Sequence, residues 1–511
     1  MRRPLAALWA AALAATTATA LGVLGAPAAT SAGTSPGASV RASTGALAEE
    51  APFTIAARDK VVAYRFRGSP TVSVDLGLRL VGGASDFEVR SHRPDWSQEI
   101  LTTWRAGAAE GTLPQGTQQS FRRLGRFLTV DYRTLDGELA HRHAVSPCLN
   151  QWESQRVRPD AEPRNLYPYY CPWNPYTVGS VQGVQAGWST GLPSHKRLDL
   201  ARGRYDVTVR PARAWARSLG MTAADGASVR LVVKRWTEED GHDHEHRAMR
   251  QTAQPRQVPR APVARAAASE PATASAGALA GPRPDLRSLP AFDIGLNRQG
   301  TILRFAANVW NAGDSPLVVD GFRRDGEDVM DAYQYYFDSD GNQVGYDLVG
   351  EMRYHAANHQ HWHFQDFARY RLLTPDKRHV AKSRKVSFCL ANTDAVDYTV
   401  EGAEWRPDNT DLNTACGESD SLSVREVLSA GSGDTYHQYR AGQAFRIKDL
   451  PTGWYLIAVE ANPRNVLVEH DTTDNDSYRR VWIGGEPGGK RRIRVPQVGI
   501  IDESVGGRGW W

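Results

Sequence analysis

The sequence predicts an all-β protein: two β-sandwich-like domains joined by a flexible linker. Three observations carry the prediction. Apolar residues recur at every second position in short runs such as "TVSVDLGLRL" and "RYDVTVRPA", the period of a strand with one buried face. The runs are bounded by turn residues, and 46 glycines and 29 prolines leave little room for a helix-period pattern. A long central stretch rich in Ala, Pro and Arg has no periodic apolar face, so it divides the chain. At 511 residues, two or three domains are expected, each long enough to bury a core.

In chain order, "MRRP" is a short basic lead, followed by an apolar run ending in small residues near Ala26–Ala32. Residues 1–32 read as a secretory signal peptide, with a retained signal anchor as the alternative, because the run is long enough to span a bilayer. Residues 33–52 are rich in Ser, Ala and Gly and are expected to be disordered. Residues 53–236 hold "FTIAARDKVVAYRF", "RFLTVDYRTL" and "ASVRLVVKRW" and read as an N-terminal sandwich. Nothing there assembles a recognisable catalytic constellation. Residues 237–283 are the linker. Within it "GHDHEH" offers His242, His244 and His246, a solvated charged turn or a transient metal trap. Residues 284–511 return to strands in "ILRFAANVWNAG", "SPLVVDGF", "VSFCLAN", "QAFRIKDL" and "GWYLIAVEANP". "FDSDGNQVG" reads as a hairpin turn despite its likeness to a calcium loop.

Cysteine and charge bound the function. Cys148, Cys171, Cys389 and Cys416 are an even, small set in a chain expected to be secreted, which reads as two disulfides, one per domain being the economical pairing. No C-x-x-C spacing supports a zinc site instead. Residues 281–511 carry a net charge of −6 and the preceding 280 a net of +10. The acidic half favours a cationic substrate, and no nucleic-acid partner is expected.

The strongest single signal is "NHQHWHFQDF", with His359, His361 and His363 at every second position. On a strand the three would project from one face, with Gln360 and Trp362 on the other, and imidazole suits zinc, copper, iron or nickel. The spacing alone does not choose among them. "AKSRKVSFCLANT", "GSGDTYHQYRAGQAFRIKDLPTGWYLIAVEANP" and "VLVEHDTTDNDSYRR" follow in order. With "HQHWH", these stretches resemble the lysyl oxidase family, here in a secreted, bacterial form, over roughly 285–482. The ordered set carries the resemblance; any one motif would be weak.

The resemblance implies a copper ion held by His359, His361 and His363. It also implies a lysine tyrosylquinone made from Lys385, four residues before Cys389, and Tyr436 of "DTY". The implied reaction is oxidation of a primary amine, a peptidyl lysine or a small amine, by molecular oxygen to an aldehyde, releasing hydrogen peroxide and ammonia. Physically this is covalent catalysis with a built-in electrophile. "VEHDTTDND" supplies hard oxygen ligands, Glu469, Asp471, Asp474 and Asn475, which suit calcium, and the resemblance adds Asp285 and Leu286.

There are departures. The domain holds only Cys389 and Cys416, fewer cysteines than animal members have. His355 stands one residue too far from His359 to be a ligand, and His355 and Asp366 are base candidates by chain proximity alone, so no base is assigned. Tyr439 lies close to Tyr436, and Lys385 sits near Lys382 and Arg384. The segment 394–432 does not follow the family and is expected to line the entrance. The alternative to an oxidase is a non-catalytic copper-binding envelope protein, which would not need the Lys385–Tyr436 pair. A zinc hydrolase ranks third, for want of a carboxylate beside its water.

Overall fold

The computed structural model describes residues 51–236, 281–354, 360–406, 412–437 and 442–503. The expected signal peptide, almost all of the linker with His242, His244 and His246, and also His355, His359 and Tyr439, lie outside the described residues. Among those residues the chain is nearly all strand, with one α-helix, Arg213–Ser218, and no helix long and apolar enough to cross a membrane. The all-β expectation holds.

The N-terminal part packs a five-stranded sheet, ordered Lys60–Arg65, Ala227–Arg235, Gly203–Pro211, Leu128–Thr134 and Leu139–Val145, against two four-stranded sheets. Alternation builds this core: Gly203–Pro211 buries Tyr205, Val207 and Val209 and exposes Arg204 and Asp206. Phe53, Phe87, Phe127 and Trp215 fill the centre, with Trp215 meeting Phe127 edge-on at 4.8 Å. Cys148 and Cys171 are disulfide-bonded, closing the irregular stretch before strand Gly179–Val184.

The C-terminal part has its own core around Phe305, Trp362, Phe364, Tyr370 and Ile457. A six-stranded sheet runs Ser387–Phe388, Trp362–Gln365, Gln343–Tyr354, Val329–Phe337, Leu317–Arg323 and Ser423–Leu428. A second sheet is built on Ile302–Asn311, which pairs antiparallel with Ser432–Tyr436. The "FDSDGNQVG" turn is a hairpin turn, Asp338 Oδ1 accepting from the amides of Asp340 and Asn342 at 3.0 and 2.8 Å. "VSFCLAN" yields only the two-residue strand Ser387–Phe388. Beyond it the backbone is claimed by a side chain, Leu390 N donating to Glu426 Oε2 at 2.9 Å, and by the bond from Cys389 to Cys416.

The two parts are joined through a built seam, and both fall within one compact unit. Val178 N and Gly179 N both donate to Val396 O, at 2.9 and 3.2 Å, and Tyr398 N returns a bond to Gly179 O at 3.2 Å. Tyr176, Leu289, Phe292, Ala306, Trp310, Val396 and Ile501 form an apolar cluster drawn from both sides. Tyr167 stacks on Trp405, centroids 6.2 Å apart, and Arg406 lies 3.4 Å from the Tyr169 ring centroid. Residues 394–406, the first part of the segment 394–432 expected to line the entrance, pack against the N-terminal sandwich.

Gly179 is the tightest point of the seam. A Cβ there would run into the Asp397 carboxylate and come within 2.7 Å of Thr399 Oγ1. We expect Gly179→Ala to destabilise the protein by about 1–3 kcal/mol through overpacking. Thermal denaturation checks this, and an unchanged midpoint would mean the seam gives way without cost.

Candidate active site

Strand Ser432–Tyr436 organises the site because its side chains alternate. Tyr436 and Asp434 face one way, and Thr435 and Gly433 the other. Pairing with Ile302–Asn311 places Ala307 opposite Tyr436 and Asn308 opposite Thr435.

On the first face Tyr436 meets Lys385. Lys385 is only 7% exposed, and its Nζ lies 4.3 Å from the Tyr436 ring centroid and 4.7 Å from that of Phe388. Phe388 itself meets Tyr436 edge-to-face at 4.8 Å. The Lys385 ammonium donates to Ser387 O at 2.9 Å, and Tyr436 OH donates to Cys389 O at 2.9 Å. The structure therefore brings together two residues 51 positions apart that the sequence had paired only by resemblance.

Sequence reading missed the carboxylates beneath them. Asp434, Glu426 and Asp394 are all buried. Burial, then Asp434, Glu426 and Tyr370, pushes the Tyr436 phenol well up. Burial likewise raises Asp434, with Asp394 adding to the rise and Lys385 and the phenol opposing it; Oδ2 of Asp434 has no hydrogen-bond partner. Glu426 is raised by burial and by Asp434, and its Oε1 is also unpartnered. "DTY" did contain the signal: a residue two before the tyrosine must share its face.

His363 is linked to this pair through Ser387, and His361 packs on His363. Their rings are 4.7 Å apart at 69°, and His363 is buried with Nδ1 at 3.3 Å from Ser387 Oγ. Ser387 thus touches both His363 and Lys385. Trp362 points the other way into the core, its Nε1 donating to Glu418 O at 2.8 Å. The strand is shorter than the motif: it begins at Trp362, and Gln360 is left-handed at φ 53°. His359 is outside the described residues, and among those residues no three His, Cys, Asp or Glu side chains converge to hold an ion.

The residues expected to bind calcium, Asp285, Leu286, Glu469, Asp471, Asp474 and Asn475, are likewise linked to one another without converging on one point, and two of the carboxylates face a guanidinium. Arg287 bonds Asp285 Oδ2 through Nη2 and Asp474 Oδ2 through Nε, both at 2.8 Å. Glu469 is saturated by Leu286 N, Asn462 Nδ2 and Asn475 Nδ2, at 2.8, 2.6 and 2.9 Å. Asp285 Oδ1 accepts from Asp471 N at 3.1 Å. Asp474 Oδ1 and Asn475 Oδ1 remain buried without partners.

On the far face of the strand, Asp394 is held by Asn174 Nδ2 at 2.7 Å, by Thr435 Oγ1 at 3.2 Å and by Thr393 Oγ1 at 2.8 Å. Burial nevertheless pushes its carboxyl up to about 6, these hydrogen bonds opposing the rise.

Residues 345–486 match the family model described as lysyl oxidase. Human protein-lysine 6-oxidase is 35% identical over 119 residues, 23% of this chain and 25% of the human protein. The pig protein of the same name is 34% identical over 119 residues, 41% of its length. Mouse lysyl oxidase homolog 4 is 30% identical over 133 residues, 24% of this chain and 16% of its own length. The chain spans less than half of the length of each of these relatives.

Asp394 generates a pH dependence. Its folded carboxyl holds a proton more tightly than the unfolded one, ordinarily near 3.8. Its contribution to stability is therefore fully present below that value and is lost as pH rises through about 6. The expected loss is on the order of 3 kcal/mol, since each tenfold gain in proton affinity is worth about 1.4 kcal/mol. Urea denaturation of wild type and Asp394→Asn between pH 4 and 7 checks it: the difference between them should change with pH, and a constant difference would exclude this carboxyl.

Proposed function

The segment 345–486 belongs to the lysyl oxidase family, and from that premise we propose that this chain is a secreted copper- and quinone-dependent amine oxidase. It would convert primary amines, peptidyl lysine or smaller, to aldehydes. The observation that carries the reading is the buried Lys385 ammonium 4.3 Å from the ring of Tyr436. Lysine is almost never buried without a partner or a function. A copper-binding protein without catalysis has no use for this pair.

The balanced reaction is an amine, oxygen and water giving an aldehyde, ammonia and hydrogen peroxide. Lysine tyrosylquinone, built from Lys385 and Tyr436 with copper and oxygen, would supply an electrophilic carbonyl and a two-electron sink. Its fit rests on the contact between the two side chains and on the surrounding chemistry. Cys389 O and Phe388 hold the tyrosine ring in place, and Ser387 O orients the lysine. Asp434, with a buried, unpartnered Oδ2 on the same face, is the group we assign to accept the substrate's α-proton. His359, His361 and His363 would hold copper, with Ser387 Oγ orienting His363.

Calcium would bind at Asp285, Leu286, Glu469, Asp471, Asp474 and Asn475 by displacing Arg287. The two unpartnered oxygens of Asp474 and Asn475 support this, and the Arg287 ion pairs compete with it. Extracytoplasmic placement is supported by the signal-like N-terminus and by the disulfides Cys148–Cys171 and Cys389–Cys416.

Peptide mapping by mass spectrometry, on protein matured with copper and oxygen, tests the central claim. The Lys385 and Tyr436 peptides should be covalently joined; full copper occupancy with both peptides free would favour the copper-binding alternative. Asp434→Asn should retain the cross-link and lower kcat by about 10²–10⁴-fold, measured as peroxide release. Calcium at millimolar concentration should raise the unfolding midpoint, by the equivalent of about 2.7 kcal/mol at one hundred times Kd. No change in the midpoint would mean that Arg287 closes the cluster.

A further inference from the structure

The N-terminal sandwich reaches the catalytic strand directly. Segment 171–177, tethered by the bond from Cys171 to Cys148, crosses the seam behind Tyr436. Asn174 is 5% exposed, and its Nδ2 donates to Asp394 Oδ2 at 2.7 Å. Asp394 accepts from Thr435 Oγ1, Asn308 Nδ2 donates to the same Oγ1 at 2.9 Å, and Thr435 N donates to Thr393 Oγ1 at 2.7 Å. Next along the chain, Trp173 stacks on His437, centroids 5.3 Å apart and planes at 22°. Of the residues on either side of Tyr436, His437 is thus met directly by Trp173, and Thr435 is reached from Asn174 through Asp394.

The Asn174 amide is itself fixed. Its Oδ1 accepts from Tyr176 N at 2.9 Å, which commits Nδ2 to Asp394, and Thr177 Oγ1 donates to Ala395 O at 3.1 Å. Gly433 completes the fit: a Cβ there would collide with Asn308 and come within 2.9 Å of Val396.

We propose that Asn174 is a positioning residue for the Lys385–Tyr436 pair, acting through Asp394 and Thr435, so that the N-terminal sandwich is an integral wall of the catalytic domain. It touches neither reacting side chain. Its role is to fix the rear face of a strand whose front face carries Tyr436. The inference rests on the oxidase reading for its consequence, but not for its geometry.

Two measurements on the full chain test it. The first is amide hydrogen exchange of the copper-free protein, which needs no cofactor. Asn174→Ala should speed exchange at Thr435 and Tyr436 by about tenfold to a hundredfold, the loss of one charge-assisted bond, and leave the remote strand Gly453–Ala461 unchanged. Uniform acceleration across both strands would indicate a merely structural role and overturn the proposal, as would no change at either. The second is the rate of Lys385–Tyr436 cross-linking after copper and oxygen are added, scored by peptide mapping. Asn174→Ala should slow it. Wild-type cross-linking in folded Asn174→Ala overturns the proposal. If wild type itself never cross-links, the oxidase reading fails, and exchange at Thr435 and Tyr436 still decides the positioning.

Discussion

A strand can offer its side chains only alternately to its two faces, and in Ser432–Tyr436 both faces are occupied. Tyr436 and Asp434 are committed to Lys385 and Phe388, while Thr435 and Gly433 are committed to Asn308, Asp394 and the other sandwich. Neither set can shift register without moving the other. A one-residue slip would bring Thr435 to Lys385 and turn the phenol toward Asp394. The identity of the site and the contact between the sandwiches are therefore one constraint seen from two sides.

Burial of charge is the second constraint. Lys385 sits between two aromatic rings and near Asp434, and three carboxylates lie within the same interior. A buried carboxylate is expensive to ionise, and each of these is pushed up by desolvation. Asp394 is offset by several donors, whereas Asp434 and Glu426 keep an oxygen without one. Unpaired buried polar atoms cost stability, and those of Asp434 and Glu426 beside Lys385 and Tyr436 are in keeping with the catalytic use proposed for this interior. The Asp285–Asp474 cluster differs in charge balance: Arg287, partly exposed, stands against two of its carboxylates, although Asp474 Oδ1 and Asn475 Oδ1 are unpartnered there too.

The disulfide between Cys389 and Cys416 ties the histidine strand to the tyrosine. Cys389 O accepts from Tyr436 OH, and Cys416 O accepts from Trp362 N at 2.9 Å, in the middle of "HQHWH". Ser387 adds a second tie, its hydroxyl at His363 and its carbonyl at Lys385. Two short links thus gather residues of three motifs scattered from His361 to Tyr436.

Period-two patterning and turn residues were enough to predict an all-β chain, because alternation is a property of the backbone that local sequence records directly. Motif order was enough to nominate Lys385, Tyr436 and the histidines. Asp434 could have been found by the same parity, standing two residues before Tyr436. Tertiary structure alone decided the rest. Nothing in "CPWNPYT" announces that Asn174 will meet Asp394, 220 positions away, because such a contact depends on how two sheets pack, not on either segment. Nothing in the sequence sets Arg287 apart either; the fold places it against two of the acids expected to hold calcium. Sequence determined which residues could do chemistry and which strands could form; only packing determined which of them face one another, since pairing partners across a seam leaves no local pattern to read.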